Sequence, residues 1–434
     1  MRQGTVSGVP ETATQGTDAL DPRWGWAEAS IWTARMVSAL VNGVKGGKWF
    51  SLVDKVIRPT TLDAAWHKVA RNKGAAGVDG QSIERFAAQA ERYLRELHDS
   101  LKDGSYRPNP IKRVEIPKGD GQTRPLGIPT VKDRIVQTAL KMVIEPIFET
   151  QFRPGRSGKD ALREVDRLVK AGFTWVVDAD LQGYFDSIPQ DRLLALVEQL
   201  ISDGRVLALI DGFLRQDIMT AMARWQPTAG TPQGAVISPL LANLYLHPLD
   251  LLLEQSGRRM VRYADDFVIL CRSEEAALTG LRQVEAWVAS NGLTLHPEKT
   301  RIGDSRQPGQ GFEFLGYRFE AGRRLVRKKS LQALKDKVRA KTGRSRGDSL
   351  ERIIVDLNPI LRGWFGYFKH ATPALFGVLD GFVRRRLRAI LRKQEKRPGF
   401  GRCTADHQRW PNAFFAAHGL FTLHAASAQA RHSR

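Results

Sequence analysis

The sequence predicts an α+β protein, and three observations predict it. Apolar residues recur at three- and four-residue spacing through several long stretches, which marks amphipathic helices. Short runs rich in Val, Ile, Phe and Tyr sit between turn residues, which marks strands and hairpins. Beyond residue 330 the pattern is helical throughout.

Residues 1–25 are rich in Gly, Thr and Pro and read as a mobile extension. A weakly helical stretch covers 27–57. In "TTLDAAWHKVARNKGAAGVDG" (60–80), Thr61 or Asp63 can cap a helix that ends at Gly74. Residues 82–104 read as one amphipathic helix. "IKRVEIPKGDGQTRPLGIP" (111–129) reads as two extended arms around a Gly-Asp-Gly turn. Helices are expected over 131–152, 192–201, 206–219 and 274–291. Another, apolar and capped by Ser238, is expected over 238–255. "TWVVDADLQGYF" (174–185) opens as a buried strand and then breaks. "RMVRYADDFVILCRS" (259–273) reads as two strands around a tight turn, with further strands at 293–303 and near 312–319. No internal repeat is present.

The chain has 434 residues, enough for two to four domains and a sizeable core. Its apolar share, 42%, is that of a globular chain. No apolar run is long enough to span a bilayer. The first residues lack the apolar block of a signal peptide. Two cysteines, Cys271 and Cys403, exclude a disulfide framework and fit a reducing compartment. The formal charge is +21, and it is uneven. Between 321 and 400, 22 Lys and Arg face 6 Asp and Glu, so that stretch carries +16 of it. Trp364, Phe365, Tyr367 and Phe368 are interleaved with that charge. Basic runs are commonly just solvated helix faces, but this concentration with aromatics favours a polyanionic partner, nucleic acid above all.

The acidic residues carry the chemistry. In "VVDADLQGYFDSI" a buried strand delivers Asp178 and Asp180 in alternation, so both point to one face. In "VRYADDFVIL" apolar arms flank Ala264-Asp265, so Asp265 and Asp266 fall at a hairpin tip. Asp is a common turn former, and such a pair alone can be a solvated tip. Three carboxylates brought together repel one another unless a divalent cation neutralises them. Their hard oxygens suit Mg²⁺, and two such ions can activate a 3′-hydroxyl and stabilise departing pyrophosphate.

"YADDFVIL", "DADLQGYFDSI" and "GTPQGAVISPLLANLYLHPLD" (230–250) resemble the palm of reverse transcriptases. "GAAGVDG", "IPKGDGQTRPLGIPTVKDRIVQ", "FRPGRSGKDAL" and "FLGYRF" follow in the order of the group II intron reverse transcriptase/maturases. "LNPILRGWFGYF" (357–368) resembles the maturase signature of that family. The resemblance runs from about 60 to 425. It implies a right-hand polymerase: an N-terminal extension (1–54), fingers and palm (55–320), an all-α thumb/maturase domain (321–396) and a basic tail, a candidate DNA-binding segment (397–434).

The resemblance also implies residue roles. Asp180, Asp265 and Asp266 would be catalytic, with two Mg²⁺ ions at Asp180, Leu181 and Asp265, while Asp178 and Asp186 would be structural. Lys118, Arg124, Phe185, Gln233 and Lys299 would contact the incoming dNTP: Lys118 and Arg124 at its triphosphate, Phe185 under the sugar, Gln233 near the base pair, Lys299 at the leaving pyrophosphate. Gly234 would let backbone approach the template. By pattern alone, Phe185 and Trp364 are also ordinary core residues, and Lys118, Arg124 and Lys299 ordinary surface charges. Arg362, Trp364, Tyr367, Lys369, Arg384, Arg385, Arg386 and Arg388 would bind RNA.

Two departures from the family pattern stand out. The segment around 148–155 is short, and Lys159 stands where His is expected. Too few cysteines exist for the C-terminal nuclease domain of some relatives. Cys403, His407, His418 and His424 are too loosely spaced for a zinc site. The expected activity is RNA-templated DNA synthesis joined to splicing and mobility of a group II intron by target-primed reverse transcription. The expected partners are intron RNA, RNA template and DNA primer, dNTPs and target DNA, with no membrane. A monomer or homodimer in the bacterial cytoplasm, nucleoid-associated when on DNA, is expected. Two other readings stay open: a related reverse transcriptase used in diversity generation, defence or repair, and a splicing factor with an inactive palm.

Overall fold

A computed structural model describes residues 22–432, apart from 120, 153–156 and 346. Most of the stretch read as mobile, the hairpin-turn Asp120 and part of the "FRPGRSGKDAL" block therefore lie outside the described residues. The chain divides into two compact units. One comprises 1–154, 182–251 and 288–294; the other comprises 155–181, 252–287 and 295–434. Helices and mainly antiparallel sheets make up both, the α+β class read from the sequence.

In the first unit the helix Val131–Glu149 is buried on most sides, through Ile135, Val136, Ala139, Leu140, Val143, Ile144, Ile147 and Phe148. A helix apolar around most of its girth must be enclosed by others. Its N-terminus is fixed by Thr130, whose hydroxyl accepts from the Asp133 N–H. The buried Asp133 carboxylate accepts from the Tyr106 hydroxyl at 2.6 Å and the Asn109 N–H at 3.1 Å. Burial pushes that carboxyl upward, and these bonds oppose the shift.

Local readings change in three places here. The helix Pro59–Arg71 is not capped by Thr61 or Asp63; it begins on Pro59, whose missing N–H is harmless in a first turn. The single helix expected over 82–104 is two, Ile83–Ala87 and Ala90–Asp103, because Gln89 leaves the helical region. The helix expected over 206–219 stops at Leu214, and Ile218–Met219 instead becomes a strand. The hairpin of β1 (Ile111–Gly119) and β2 (Gln122–Ile128) is antiparallel, with Ile116 opposite Arg124 and an irregularity between Pro117 and Gly119. In sequence order β3 (Trp175–Ala179) belongs to the second unit. The sheet of β1 and β2 is completed by β4 (Ile218–Met219), parallel to β1, and β5 (Arg224–Trp225).

In the second unit β3 lies inside a four-stranded antiparallel sheet. The sheet adds β6 (Arg259–Tyr263), β7 (Asp266–Cys271) and β8 (Arg301–Asp304), in the order β6-β7-β3-β8. A second sheet joins β9 (Phe312–Phe314), β10 (Tyr317–Glu320) and β11 (Arg323–Val326). The last of these lies at the start of the strongly basic 321–400 stretch. Val176, Val268 and Leu270 share one core with Phe312, Phe314, Tyr317 and Phe319 and with the helices Leu350–Phe368 and Ala374–Gln394. Each such side chain contributes about 1.5–3 kcal/mol by leaving water. The C-terminal segment packs onto those helices too. Asn358 donates to the Gly419 carbonyl and accepts from the Phe421 N–H, both at 2.8 Å. The buried Asp380 accepts from the Leu423 and His424 N–H groups, both at 2.9 Å, which caps the helix Leu423–His432. No helix among the described residues is long and apolar enough to cross a membrane.

Candidate active site and nucleic-acid interface

The β3–β7 register pairs Asp178 with Val268 and Ala179 with Phe267. Asp180 follows directly on the end of β3, and its charge acts on both Asp265 and Asp266. Tyr263 pairs with Asp266, so Ala264 and Asp265 alone make the β6–β7 turn. Ala264 takes a left-handed φ of 57° there. The period-two alternation of strands thus brings Asp178, Asp180, Asp265 and Asp266 to one end of one sheet. All four are half-buried.

The electrostatics of that end are adverse to anions. Asp266 is pushed up to about 6, first by burial and then by Asp178, with Asp265 and Asp180 adding to it; a bond from the Leu315 N–H opposes the shift. Asp178 is likewise raised to about 6, by burial, against the pull of Arg301. Burial also raises Asp265, and Asp180 adds to that. Cations already answer this charge, among them Arg262, whose pull opposes the shift of Asp265. Lys299 Nζ donates to Asp180 Oδ2 at 2.7 Å. Arg301 lies opposite Asp178 in the β3–β8 ladder and reaches it at 3.3 Å. The donor chemistry fits a hard divalent cation: carboxylate oxygens only, destabilised by one another in its absence. Among the described residues no three acidic, His or Cys side chains are gathered around one point. Leu181 has its side chain buried and pairs through its backbone with Leu295, so only its carbonyl could serve a metal.

Sequence reasoning did not find Arg301, or the clamp behind Asp266. Leu315, the second residue of "FLGY", adopts φ 48°, and its carbonyl accepts from the Tyr367 hydroxyl at 2.9 Å. The Tyr317 hydroxyl donates in turn to the Tyr367 carbonyl at 2.7 Å. Tyr367 therefore ties the helix Leu350–Phe368 to the turn that contacts Asp266. The only trace of this in the sequence is the FLGY spacing itself.

The residues assigned to the dNTP fall in the first unit, except Lys299. Lys118 lies at the β1 irregularity, and both it and Arg124 are exposed. Phe185 is half-buried in the helix Tyr184–Ser187, and its carbonyl accepts from the Thr231 N–H at 2.7 Å. Gly230 makes that contact possible, since an added Cβ would come within 2.8 Å of the Phe185 and Asp186 backbone. The Gln233 carbonyl accepts from the Gly127 N–H at 2.6 Å. Gly234 has φ 106°, and a Cβ there would overlap the Gly127 carbonyl. The glycines of "GTPQG" thus press this turn onto both β2 and the Phe185 helix. Ser238 serves the same turn, donating to the Pro232 carbonyl rather than capping its helix.

The residues assigned to RNA separate into two groups. Trp364 packs on Phe368 and Phe376 in the core. Arg386 donates to the Thr342 hydroxyl at 2.6 Å and to the Thr342 carbonyl at 2.7 Å. Arg388, only 2% exposed, donates to the Trp410 carbonyl and to Asn412 Oδ1. These three build the fold. Arg362 and Lys369 are exposed, and Arg384 and Arg385 are half-buried and line a cleft. In the 403–424 segment, His418 bonds to the Phe414 carbonyl and Cys403 accepts from Arg392.

Residues 116–319 match the family described as "Reverse transcriptase (RNA-dependent DNA polymerase)", and residues 331–410 match "Group II intron, maturase-specific domain". "Protein YkfC" of Escherichia coli K12 is 34% identical over 327 residues, which are 64% of this chain and 84% of YkfC. "Group II intron-encoded protein LtrA" of Lactococcus lactis subsp. cremoris is 36% identical over 205 residues, 45% of this chain and 34% of LtrA. Here the match spans about a third of the relative's length. Among solved structures, the partial Cas6-RT-Cas1–Cas2 complex covers 55% of this chain and 42% of its own at 26% identity, with a TM-score of 0.36. With both domains matched in order around one acidic strand end, the chain belongs to the group II intron-encoded reverse transcriptases and maturases: an RNA-directed DNA polymerase domain followed by a maturase-specific domain.

Proposed function

We propose that this chain copies RNA into DNA at Asp180, Asp265 and Asp266, and holds a group II intron RNA with its basic helical part to promote splicing and target-primed mobility. The observation that supports this most is the ladder register that delivers those carboxylates to one sheet end. Asp180 and Asp265 would hold two Mg²⁺ ions with the Leu181 carbonyl. Bound there, the metal supplies an acidified 3′-hydroxyl and charge neutralisation at the phosphates. The chain's own side chains do the rest. Lys299 bonds Asp180, which supports the reading that it would give its cationic contact to the departing pyrophosphate. Arg301 holds Asp178 and so keeps β3 and β8 in register at the site. Lys118 and Arg124 would take the triphosphate, Gln233 the nascent pair, and the Phe185 ring would exclude a 2′-hydroxyl.

In this reading 55–320 act as fingers and palm, 321–396 as thumb and maturase domain, and 397–434 as a nucleic-acid-binding tail. The protein would work in the bacterial cytoplasm, as monomer or homodimer, joining the nucleoid when on target DNA. The test is primer extension with dNTPs on an RNA template, with and without Mg²⁺. Extension by the wild type that vanishes in Asp265→Asn, with RNA affinity retained, is the expected outcome. Undiminished extension by that variant overturns the assignment.

A further inference from the structure

A cleft of about 270 Å³ opens on the helix Ala374–Gln394, lined by Gly381, Arg384, Arg385, Arg388, Arg402 and His407, with Gly401 and Asn412 completing it. Four arginines converge there, and no carboxylate lines it. Asp406, which acts on Arg388, has its Oδ1 bonded by Arg392 at 2.6 Å. Asp380 is turned inward to cap the helix Leu423–His432.

The cleft is built by close packing. Gly401 has φ 71°, and a Cβ on it would come within 2.7 Å of the Ala389 nitrogen and Arg388 Cβ. Only glycine lets that loop sit against the helix, and this seating brings Arg402 alongside Arg384 and Arg385. Arg388 forms the floor. Its guanidinium is fixed by the Trp410 carbonyl and Asn412 Oδ1 and lies over the Phe415 ring at 5.3 Å. Asn412 uses its oxygen on Arg388, which leaves its amide N–H groups as the free end. Arg385 lies 5.6 Å over the Phe382 ring, so it is pre-oriented. Arg384 has a buried Nε with no partner. A buried N–H donor without an acceptor costs about 1–3 kcal/mol, a cost that an acceptor reaching it would remove. Like charges this close also repel; Arg388 is shifted downward by burial and then by Arg384.

We propose that this cleft is a receptor for a single phosphodiester group of a bound nucleic-acid strand, with Arg384, Arg385 and Arg402 donating to it and Gly401 and Arg388 setting their spacing. The proposal rests on the nucleic-acid-binding reading above and sharpens it to one site. A tetrahedral anion with several acceptor oxygens fits a fan of guanidinium forks that a single carboxylate would leave half-used. It assigns Arg402, which the sequence did not single out, and it separates Arg384 and Arg385 from Arg386 and Arg388 in the same "RRRLR" run.

The test uses the full chain, a mixed-sequence RNA duplex and a DNA duplex of the same sequence, each titrated over a range of salt. Arg402→Gln and the double variant Arg384→Gln/Arg402→Gln are compared with wild type and with Lys337→Gln, an exposed cation on the helix Lys328–Lys341. Losing one phosphate contact should lower the salt slope by about 0.7–0.9 log units per decade. Affinity should fall severalfold, with Lys337→Gln changing less. Thermal melting checks that the variants fold; Arg402 is exposed in a loop, so its variant should melt with the wild type. A slope change with RNA alone, or with both duplexes, supports the proposal and identifies the strand that seats there. An unchanged slope with both duplexes in a folded variant overturns it, as does an equal change in Lys337→Gln. The parent reading is judged separately by wild-type extension: a wild type that fails to extend a primer removes the polymerase assignment without moving the slope.

Discussion

The acidic sheet end and the basic helix Ala374–Gln394 handle concentrated charge in opposite ways. At the sheet end four carboxylates share one strand end; Asp178, Asp265 and Asp266 are raised by burial and by neighbouring acids, while Lys299, Arg301 and Arg262 offset part of the charge. On the helix the arginines are divided. Arg386 and Arg388 are consumed by backbone carbonyls and Asn412 inside the protein, and Arg384 and Arg385 are left to a cleft. Charge the fold leaves unneutralised marks where a ligand of opposite sign belongs. Charge it neutralises internally is architecture, however basic the run looks.

The sharpest break of this comparison is at Asp265. Asp265→Asn keeps the shape and removes a charge, so extension should fall on the order of a hundredfold or more. Melting should stay the same or rise, because a mutually repelling carboxylate is gone. Single-turnover extension and a melting curve measure both; a variant that loses stability and activity in proportion would make Asp265 a structural acid.

The opposite behaviour is expected on the helix. Arg388→Ala leaves the Trp410 carbonyl and Asn412 unpaired inside the protein and should cost about 2–3 kcal/mol. Arg385→Gln should leave the melting temperature nearly in place. Chemical denaturation of the two variants decides it. Equal losses would show that the run is a uniform surface and not a divided one.

The same contrast explains what could be read beforehand. The carboxylates were legible because alternation along a strand and a two-residue turn are local rules, and the ladder extends them directly. The basic run was not, because which of Arg384, Arg385, Arg386 and Arg388 meets solvent depends on Thr342, Trp410 and Asn412, up to 44 residues away. Tertiary partners likewise decided the end of the 204–214 helix, where β1 recruits Ile218–Met219 as a parallel strand. Arg301 and Arg402 carried no local signal at all. Each acquires its place from a register or a loop seated by a glycine.

Arg301 offers a middle-sized test. Arg301→Met leaves Asp178 without its cross-strand cation beside Asp180. Loss of a group that orients neighbouring ligands weakens activity about tenfold, the low end for such residues. The informative readout is the Mg²⁺ concentration needed for half-maximal extension, which should rise. An unchanged metal requirement with a lower maximal rate would place Arg301 on the substrate.

The smallest effect concerns strain. Ala264 holds a left-handed φ of 57° in the two-residue turn that carries Asp265, and Ala321 holds φ 48° in the β10–β11 turn far along the chain from any assigned residue. Both are exposed, so losing the methyl group removes no packing. A non-glycine residue in this region costs about 1–2 kcal/mol, while glycine costs roughly 0.5–1 kcal/mol in unfolded-chain freedom. Each substitution to Gly should therefore raise stability by less than about 1 kcal/mol. Their effects on extension should diverge. Ala264→Gly loosens the turn that aims Asp265 and should slow extension severalfold, whereas Ala321→Gly should not change it. Paired melting and extension measurements test whether the acidic end holds its strain for geometry. If both variants gain stability and extend like wild type, the left-handed turn at Ala264 is a tolerated cost of a tight hairpin, and the aim of Asp265 is set by β7 and the Leu315 contact to its neighbour Asp266.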